Sequence, residues 1–283
     1  MFQILSVSVS ADDDFDPGLP PESDFTVLLT DEQVEGFHRD GFTSIPRITT
    51  DEEIEWLKPI YDHLFDTKGS FKGGYFDLAR KYDEEGEDLV PQVLAPDTRW
   101  PQLRETTAVR NARAIAQQLM DLPRDAIKQW SHMILKPARI GGELPWHQDE
   151  AYWDPDFRYR ALGVWVPLDV ATVESGCMHF KPGSHTGAVL EHKHVNDDPE
   201  VHGLVAPSAT NDGEVAIELQ PGGATFHHCR TLHRTPPNVS DHVRRAWANE
   251  FQIEPVKNDG SEPDRPWVRD GHVAWAKRSV FTN

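Results

Sequence analysis

Five runs decide how this chain is read: IKQWSHMILKP at 127–137, YRALGVWVPLDV at 159–170, GCMHFKPGS at 176–184, EVAIELQPGGATFHH at 214–228 and RRAWANEFQI at 244–253. Each is short and rich in β-branched and aromatic residues, and Gly and Pro stand between them, which is the punctuation of strands joined by turns. Upstream, Thr30 with Asp31, Glu32 and Gln33 forms a capping box ahead of Val34, Phe37 and His38, and this helix should stop near Gly41. GFTSIPRI then reads as a short strand. Thr50 repeats the cap signature before Ile54, Leu57, Ile60, Tyr61 and Leu64, with Pro59 expected to kink or restart that second helix, and AVRNARAIAQQLM at 108–120 makes a third. Helices first and many short strands afterwards fit one antiparallel barrel or jelly roll with a helical flank, so the fold class is mainly β with flanking helices.

Outside these elements, residues 1–29 hold Asp12, Asp13, Asp14 and Asp16 with no apolar period, and are expected to form a flexible acidic tail before a single domain at 30–283. Residues 66–100 are rich in Gly, Asp, Glu and Pro, which suggests a long loop or a lid, and 256–283 is expected to be irregular. The 283 residues carry a net charge of −19, a field that repels polyanions, so neither nucleic acid nor an anionic membrane is an expected partner. No apolar run is long enough for a membrane span, and MFQILSVSVSADDDFD lacks the basic start and apolar core of a signal peptide; the expected location is cytoplasmic. Cys177 and Cys229 read as free thiols. The 14 His and 9 Trp are a supply of ligands and aromatic walls.

The chemistry concentrates in Pro145-Trp146-His147-Gln148-Asp149. On an extended strand His147 and Asp149 point to the same face, where both can reach one metal ion. A His-x-Asp pair is equally what a hydrogen-bonded surface pair looks like, so the downstream segment carries weight. His233 offers a third ligand after the strand-like GGATFHHCRTL, followed by Thr235, a tight turn and Arg244 at the opening of the next strand. Two His and one carboxylate leave three octahedral positions open, as in non-haem Fe(II) oxygenases, and an arginine fork is a natural bidentate partner for a carboxylate.

With DEQVEGFHRDGF, GGELPWHQD, GVWVPLDVATVESGCMHFKPGSH and TLHRTPPNVSDHVRRA in this order, the sequence resembles the phytanoyl-CoA dioxygenase family of Fe(II)/2-oxoglutarate-dependent oxygenases. The resemblance implies a double-stranded β-helix, that is a jelly-roll or cupin-like barrel, using Fe(II), 2-oxoglutarate and O2. By position, His147, Asp149 and His233 match the family's metal ligands and catalytic set; Arg244 matches the anchor of the cosubstrate's distal carboxylate, with Thr235 and Trp165 beside it. Because Asp149 is present, the resemblance favours hydroxylation of a C–H bond of a small molecule, with 2-oxoglutarate converted to succinate, over halogenation. The alternatives are a divalent-metal (Zn) cupin-like hydrolase or isomerase, and a non-catalytic binding relative.

Among the other histidines, His227 and His228 both precede His233 closely and either could face the barrel, with His228 read as a lining or packing residue. His179 and His185 read as hydrogen-bonded turn residues, His192 and His194 as solvated loop residues. Cys229 reads as a small buried filler and Arg245 as pointing outward. Trp146, Tyr152, Trp153, Phe157 and Tyr159 are candidates for a substrate wall, with Arg158 and Arg160 able to receive an anion. The charge of −19 makes a bulky CoA thioester less attractive than a small acid or metabolite.

Overall fold

A computed structural model describes residues 15–67, 74–81, 84–121 and 128–269. In chain order the strands are β1 (Phe42–Ile45), β2 (Tyr75–Asp77), β3 (Pro91–Leu94), β4 (Lys128–Lys136), β5 (Leu144–His147), β6 (Phe157–Arg158), β7 (Ala161–Pro167), β8 (Met178–Phe180), β9 (Lys193–His194), β10 (Leu204–Val205), β11 (Val215–Ile217), β12 (Ala224–His228), β13 (His233–Thr235), β14 (Arg244–Gln252) and β15 (Val256–Lys257). The helices are α1 (Asp31–Asp40), α2 (Asp51–Asp66), α3 (Thr107–Met120) and the short α4 (Pro266–Arg269). A seven-stranded sheet, ordered β1-β12-β7-β14-β4-β3-β2, faces a four-stranded sheet, ordered β11-β8-β13-β5, and all ladders in both are antiparallel. This is the expected jelly roll, two opposed sheets rather than a closed barrel.

Strand alternation divides the large sheet into two faces. Trp247 and Phe251 of β14, Leu162, Val164 and Val166 of β7 and Met133 of β4 pack with Ile54, Leu57, Ile60, Val109, Ile115 and Leu119 of α2 and α3. The intervening positions of β14, from Arg244 through Ala246 and Ala248 to Glu250, face the other sheet. Two alanines in that row leave a void between the layers.

The helix ends follow the sequence chemistry. Thr30 and Gln33 form the reciprocal capping box, and Gly41 closes α1 with φ 85°, a left-handed conformation glycine adopts without strain. α2 runs unbroken through Pro59, whose exposed position leaves the freed Glu55 carbonyl to water. Buried Glu53 accepts from Thr107 N (2.6 Å) and Ala108 N (2.8 Å), so a carboxylate of α2 satisfies the open amides that begin α3.

Three expectations need correction. Residues 15–29 are not a loose tail: Phe15 stacks on His63 at 4.3 Å, the Pro17 carbonyl accepts from Trp56 Nε1 (2.7 Å) and the Phe25 carbonyl from Asn111 Nδ2 (2.9 Å). Apolar anchors at long spacing, invisible to a search for period, hold this strap to α2 and α3; residues 1–14 lie outside the described residues. The 66–100 segment is not an open loop, since β2 and β3 pair with each other and β3 with β4, extending the large sheet; residues 68–73, 82 and 83 are not described. The segment from 256 includes β15 and α4, with 270–283 outside the description. Among the described residues, no helix is long and apolar enough to cross a membrane.

Candidate active site

β5 ends at His147, and its partner β13 begins at His233 in direct register. Cross-strand neighbours lie about 5 Å apart, and the two imidazole centroids are 4.2 Å apart. Gln148 keeps an extended backbone (φ −121°, ψ 134°) before a 3-10 turn opens at Asp149, so Asp149 returns to the face of His147 although the strand has ended. The Gln148 side chain turns away, donating to the Arg230 carbonyl (2.7 Å) and accepting from Leu190 N (2.7 Å). One donor atom from each of His147, Asp149 and His233 lies within 4.8 Å of the others, an arrangement that can hold a metal ion.

Second contacts orient these donors. His147 Nδ1–H donates to the Pro145 carbonyl (2.7 Å) and His233 Nδ1–H to the Thr231 carbonyl (2.9 Å), leaving both Nε2 atoms as acceptors toward the shared centre. Burial lowers both imidazoles, His233 well below the ordinary histidine value, so they are neutral, the form that ligates. Burial alone would raise the Asp149 carboxyl, but the surrounding His233, His227 and His147 hold it below the usual carboxylate range.

Of the two histidines before His233, His227 reaches the site. Its Nε2 donates to Asp149 Oδ2 (3.1 Å), while Asp149 Oδ1 lies 3.4 Å from His233 Nε2. One carboxylate oxygen is thus tied back and the other is presented to the centre. His228 points away and its Nδ1 accepts from Arg230 N (3.0 Å). The signal was present in β12: Ala224 and Phe226 join the helix-facing core, so alternation turns Thr225 and His227 inward.

His227 also explains Gly163, opposite it on β7. A Cβ there would lie 2.4 Å from His227 Nε2. His227→Ala is therefore expected to weaken ferrous binding roughly 10–100-fold, and Gly163→Ala to act in the same direction by pushing the ring aside. Chelator competition measures both, and unchanged affinity in the two variants would show that the bond to Asp149 is dispensable.

Arg244 is completely buried, and among the described residues its Nε, Nη1 and Nη2 have no hydrogen-bond partner; Thr235 Oγ1 is a second buried polar atom without one there. The guanidinium lies 5.2 Å from the Trp165 ring. Burial pushes Arg244 down to about 10, which leaves it charged at neutral pH. A buried cation with open donors beside a free hydroxyl fits a carboxylate. Both residues line the same cavity of about 130 Å³ as His147, Asp149 and His233. All six site residues expected from the sequence meet in this one place.

A family model described as phytanoyl-CoA dioxygenase (PhyH) matches residues 37–246. The chain belongs to the phytanoyl-CoA dioxygenase family. A phytanoyl-CoA dioxygenase of Arabidopsis thaliana is 24% identical over 282 residues, covering 89% of this chain and 96% of that one. EvdO2 from Micromonospora carbonacea var. aurantiaca, solved in complex with 2-oxoglutarate, is 35% identical with a TM-score of 0.75, covering 86% of this chain and 98% of the other. The alpha-ketoglutarate-dependent carbocyclase SnoK from nogalamycin biosynthesis, at 24% identity and a TM-score of 0.65 over 87% of this chain and 90% of that one, shares the fold. As a phytanoyl-CoA dioxygenase family member, the chain is an iron- and 2-oxoglutarate-dependent oxygenase, and Fe(II), 2-oxoglutarate and O2 are its cofactors.

Other side chains in this family member fall differently from their sequence reading. Tyr152 and Trp153 line the cavity, joined by Phe76 and Leu94 from β2 and β3. Trp146 instead packs with Ala206 and Leu232 and donates to Asn211 Oδ1 (2.8 Å), because alternation on β5 turns it away from His147. Neither Arg158 nor Arg160 receives an anion there: Arg158 pairs with Asp259 (3.7 Å) and Arg160 donates to the Met120 carbonyl. His192 and His194 are buried rather than solvated. His192 Nε2 accepts from Gln148 N (3.2 Å), and His194 Nδ1–H donates to the Val201 carbonyl (2.8 Å). His179 lies on β8, 3.4 Å from Glu214, rather than in a turn, whereas His185 does sit in one and bonds the His38 carbonyl (3.2 Å). Cys229 is buried, and Arg245 is turned out to Asp62 (2.8 Å) and Asp169 (3.0 Å).

The loop that carries Asp149 is braced from the C-terminal side. Buried Glu150 receives Arg230 Nε (2.6 Å) and Arg265 Nη2 (2.6 Å), and Trp267 Nε1 donates to the Ala151 carbonyl (2.9 Å). Both charges of each pair are satisfied, as burial requires.

Proposed function

We propose that the chain hydroxylates a C–H bond of a small-molecule substrate, with His147, Asp149 and His233 holding the iron and Arg244 binding the distal carboxylate of 2-oxoglutarate. The observation that carries this reading is one cavity with two complementary ends: three neutral or anionic donor atoms converging at one, and an unpartnered buried guanidinium at the other. Bound Fe(II) with 2-oxoglutarate and O2 supplies a two-electron oxidation in which the cosubstrate leaves as succinate and carbon dioxide. His147 and His233 offer neutral Nε2 atoms, and Asp149 offers one oxygen while His227 retains the other. Trp165 supports the Arg244 guanidinium, Thr235 adds a hydroxyl donor, and the aromatic wall of Tyr152 and Trp153 keeps water from the reacting bond. A zinc hydrolase would have no use for Arg244 in this state.

The test is oxygen-isotope labelling with iron, 2-oxoglutarate and a small-metabolite library. Substrate-stimulated succinate release with one labelled oxygen atom in the product is the expected result. Loss of two hydrogens without oxygen gain would overturn hydroxylation. Absence of any iron-dependent succinate would overturn the assignment of the site.

A further inference from the structure

The inward row of β14 begins with Arg244 and ends with Glu250, six residues and about 20 Å apart on an extended strand. Arg244 is the sole Lys or Arg lining the cavity among the described residues, and the cosubstrate uses it. Glu250 lines the same cavity, and among the described residues no cation or hydrogen-bond donor meets its carboxyl group. Its row across the large sheet runs Trp130, Glu250, Gly163, His227. The place a side chain at Gly163 would take is filled by the His227 ring, and Glu250 stands two strands along this row from the histidine that holds Asp149. The family match ends at residue 246, so membership assigns no role to Glu250.

We propose that this half of the cavity selects a neutral, hydroxyl-bearing ring compound, such as a glycoside or cyclic polyol, with Glu250 accepting a hydrogen bond from a substrate hydroxyl. The inference rests on the oxygenase reading above and names its substrate class. With no second cation in the cavity among the described residues, a free acid or CoA thioester would bury its charge uncompensated, and Glu250 is itself pushed up to about 8 by burial, so at neutral pH this half of the cavity presents an uncharged carboxyl. An ammonium group would need Glu250 ionised against the burial that disfavours its charge, and His132, one row along on β4 with its Nδ1 unpartnered among the described residues, adds a second hydrogen-bonding group there. A hydroxyl donates and accepts, which suits the mixed set. Trp130 from β4 and Trp153 also line the cavity and supply aromatic surface for the apolar side of a ring.

The test titrates the full-length protein, loaded anaerobically with Fe(II) and 2-oxoglutarate, with methyl glycosides of neutral hexoses, hexylamine, hexanoate and hexanoyl-CoA. Tryptophan fluorescence is followed, and succinate release is then measured in air. At least one glycoside should bind and stimulate release while the charged probes do neither. Glu250→Gln, which keeps an acceptor oxygen, should hold glycoside affinity within about threefold, and Glu250→Leu should lower it at least tenfold with the melting temperature checked in parallel. Preference for hexylamine, hexanoate or hexanoyl-CoA, binding of no glycoside, or glycoside affinity unchanged in Glu250→Leu would each overturn the inference. Failure of the underlying reading would look different: no visible absorption band on anaerobic loading of the wild-type protein, whatever the fluorescence reports.

Discussion

Arg244→Met should raise the 2-oxoglutarate requirement about a hundredfold or more, the equivalent of about 3 kcal/mol, because loss of a buried charge partner typically costs 2–5 kcal/mol of binding. The same substitution should leave the ligand-free chain as stable as the parent or more stable. Without cosubstrate the guanidinium is buried with all three nitrogens unpartnered, and an uncompensated buried charge costs several kcal/mol, whereas Met of similar length fills the space beside Trp165. At this chain length about 1 kcal/mol corresponds to roughly 2–4 °C. Thermal melts with and without 2-oxoglutarate read both effects: the parent gains stability on adding the cosubstrate, and the variant starts level or higher and gains none. Full activity at parental 2-oxoglutarate concentrations would refute the anchor.

Asp149→Ala is expected to abolish iron-dependent succinate release and to lower ferrous affinity by more than the roughly 10–100-fold assigned to a supporting residue such as His227. The substitution removes the single anionic donor of the set and leaves two neutral imidazoles. It also frees His227, whose Nε2 loses its acceptor. Metal content after dialysis, read beside the His227→Ala value, separates the two contributions. If Asp149→Ala binds iron no more weakly than His227→Ala, Asp149 is not a ligand.

Much of this was visible along the chain. The capping box at Thr30 and the N-cap at Thr50 lie within four residues of the groups they satisfy, so local chemistry reveals the starts of α1 and α2 without tertiary contacts. His147 and Asp149 share a face because alternation has a period of two. The Arg244 and Arg245 contrast, one buried among the sheets and one ion-paired outside, is the same rule applied once more. What stayed hidden involved partners far apart in the chain. Residues 91–94 look like loop because their Pro and Gly neighbourhood masks four buried positions, and only the open edge of β4 makes them a strand. His192 and His194 stand among polar residues, yet the backbone returns His192 under the Gln148 turn and pairs His194 with Leu204.

The polymer alone therefore carries the identity and order of the donors, because each side-chain type and its local period are properties of a few consecutive residues. Which donors converge is a property of register: His233 opposite His147, His227 rather than His228 against Asp149, and Glu250 opposite Gly163 each depend on how distant strands align. That alignment is set by burying one face of every strand at once, and a shift of one residue in any ladder would exchange the cavity face for the helix-packed face.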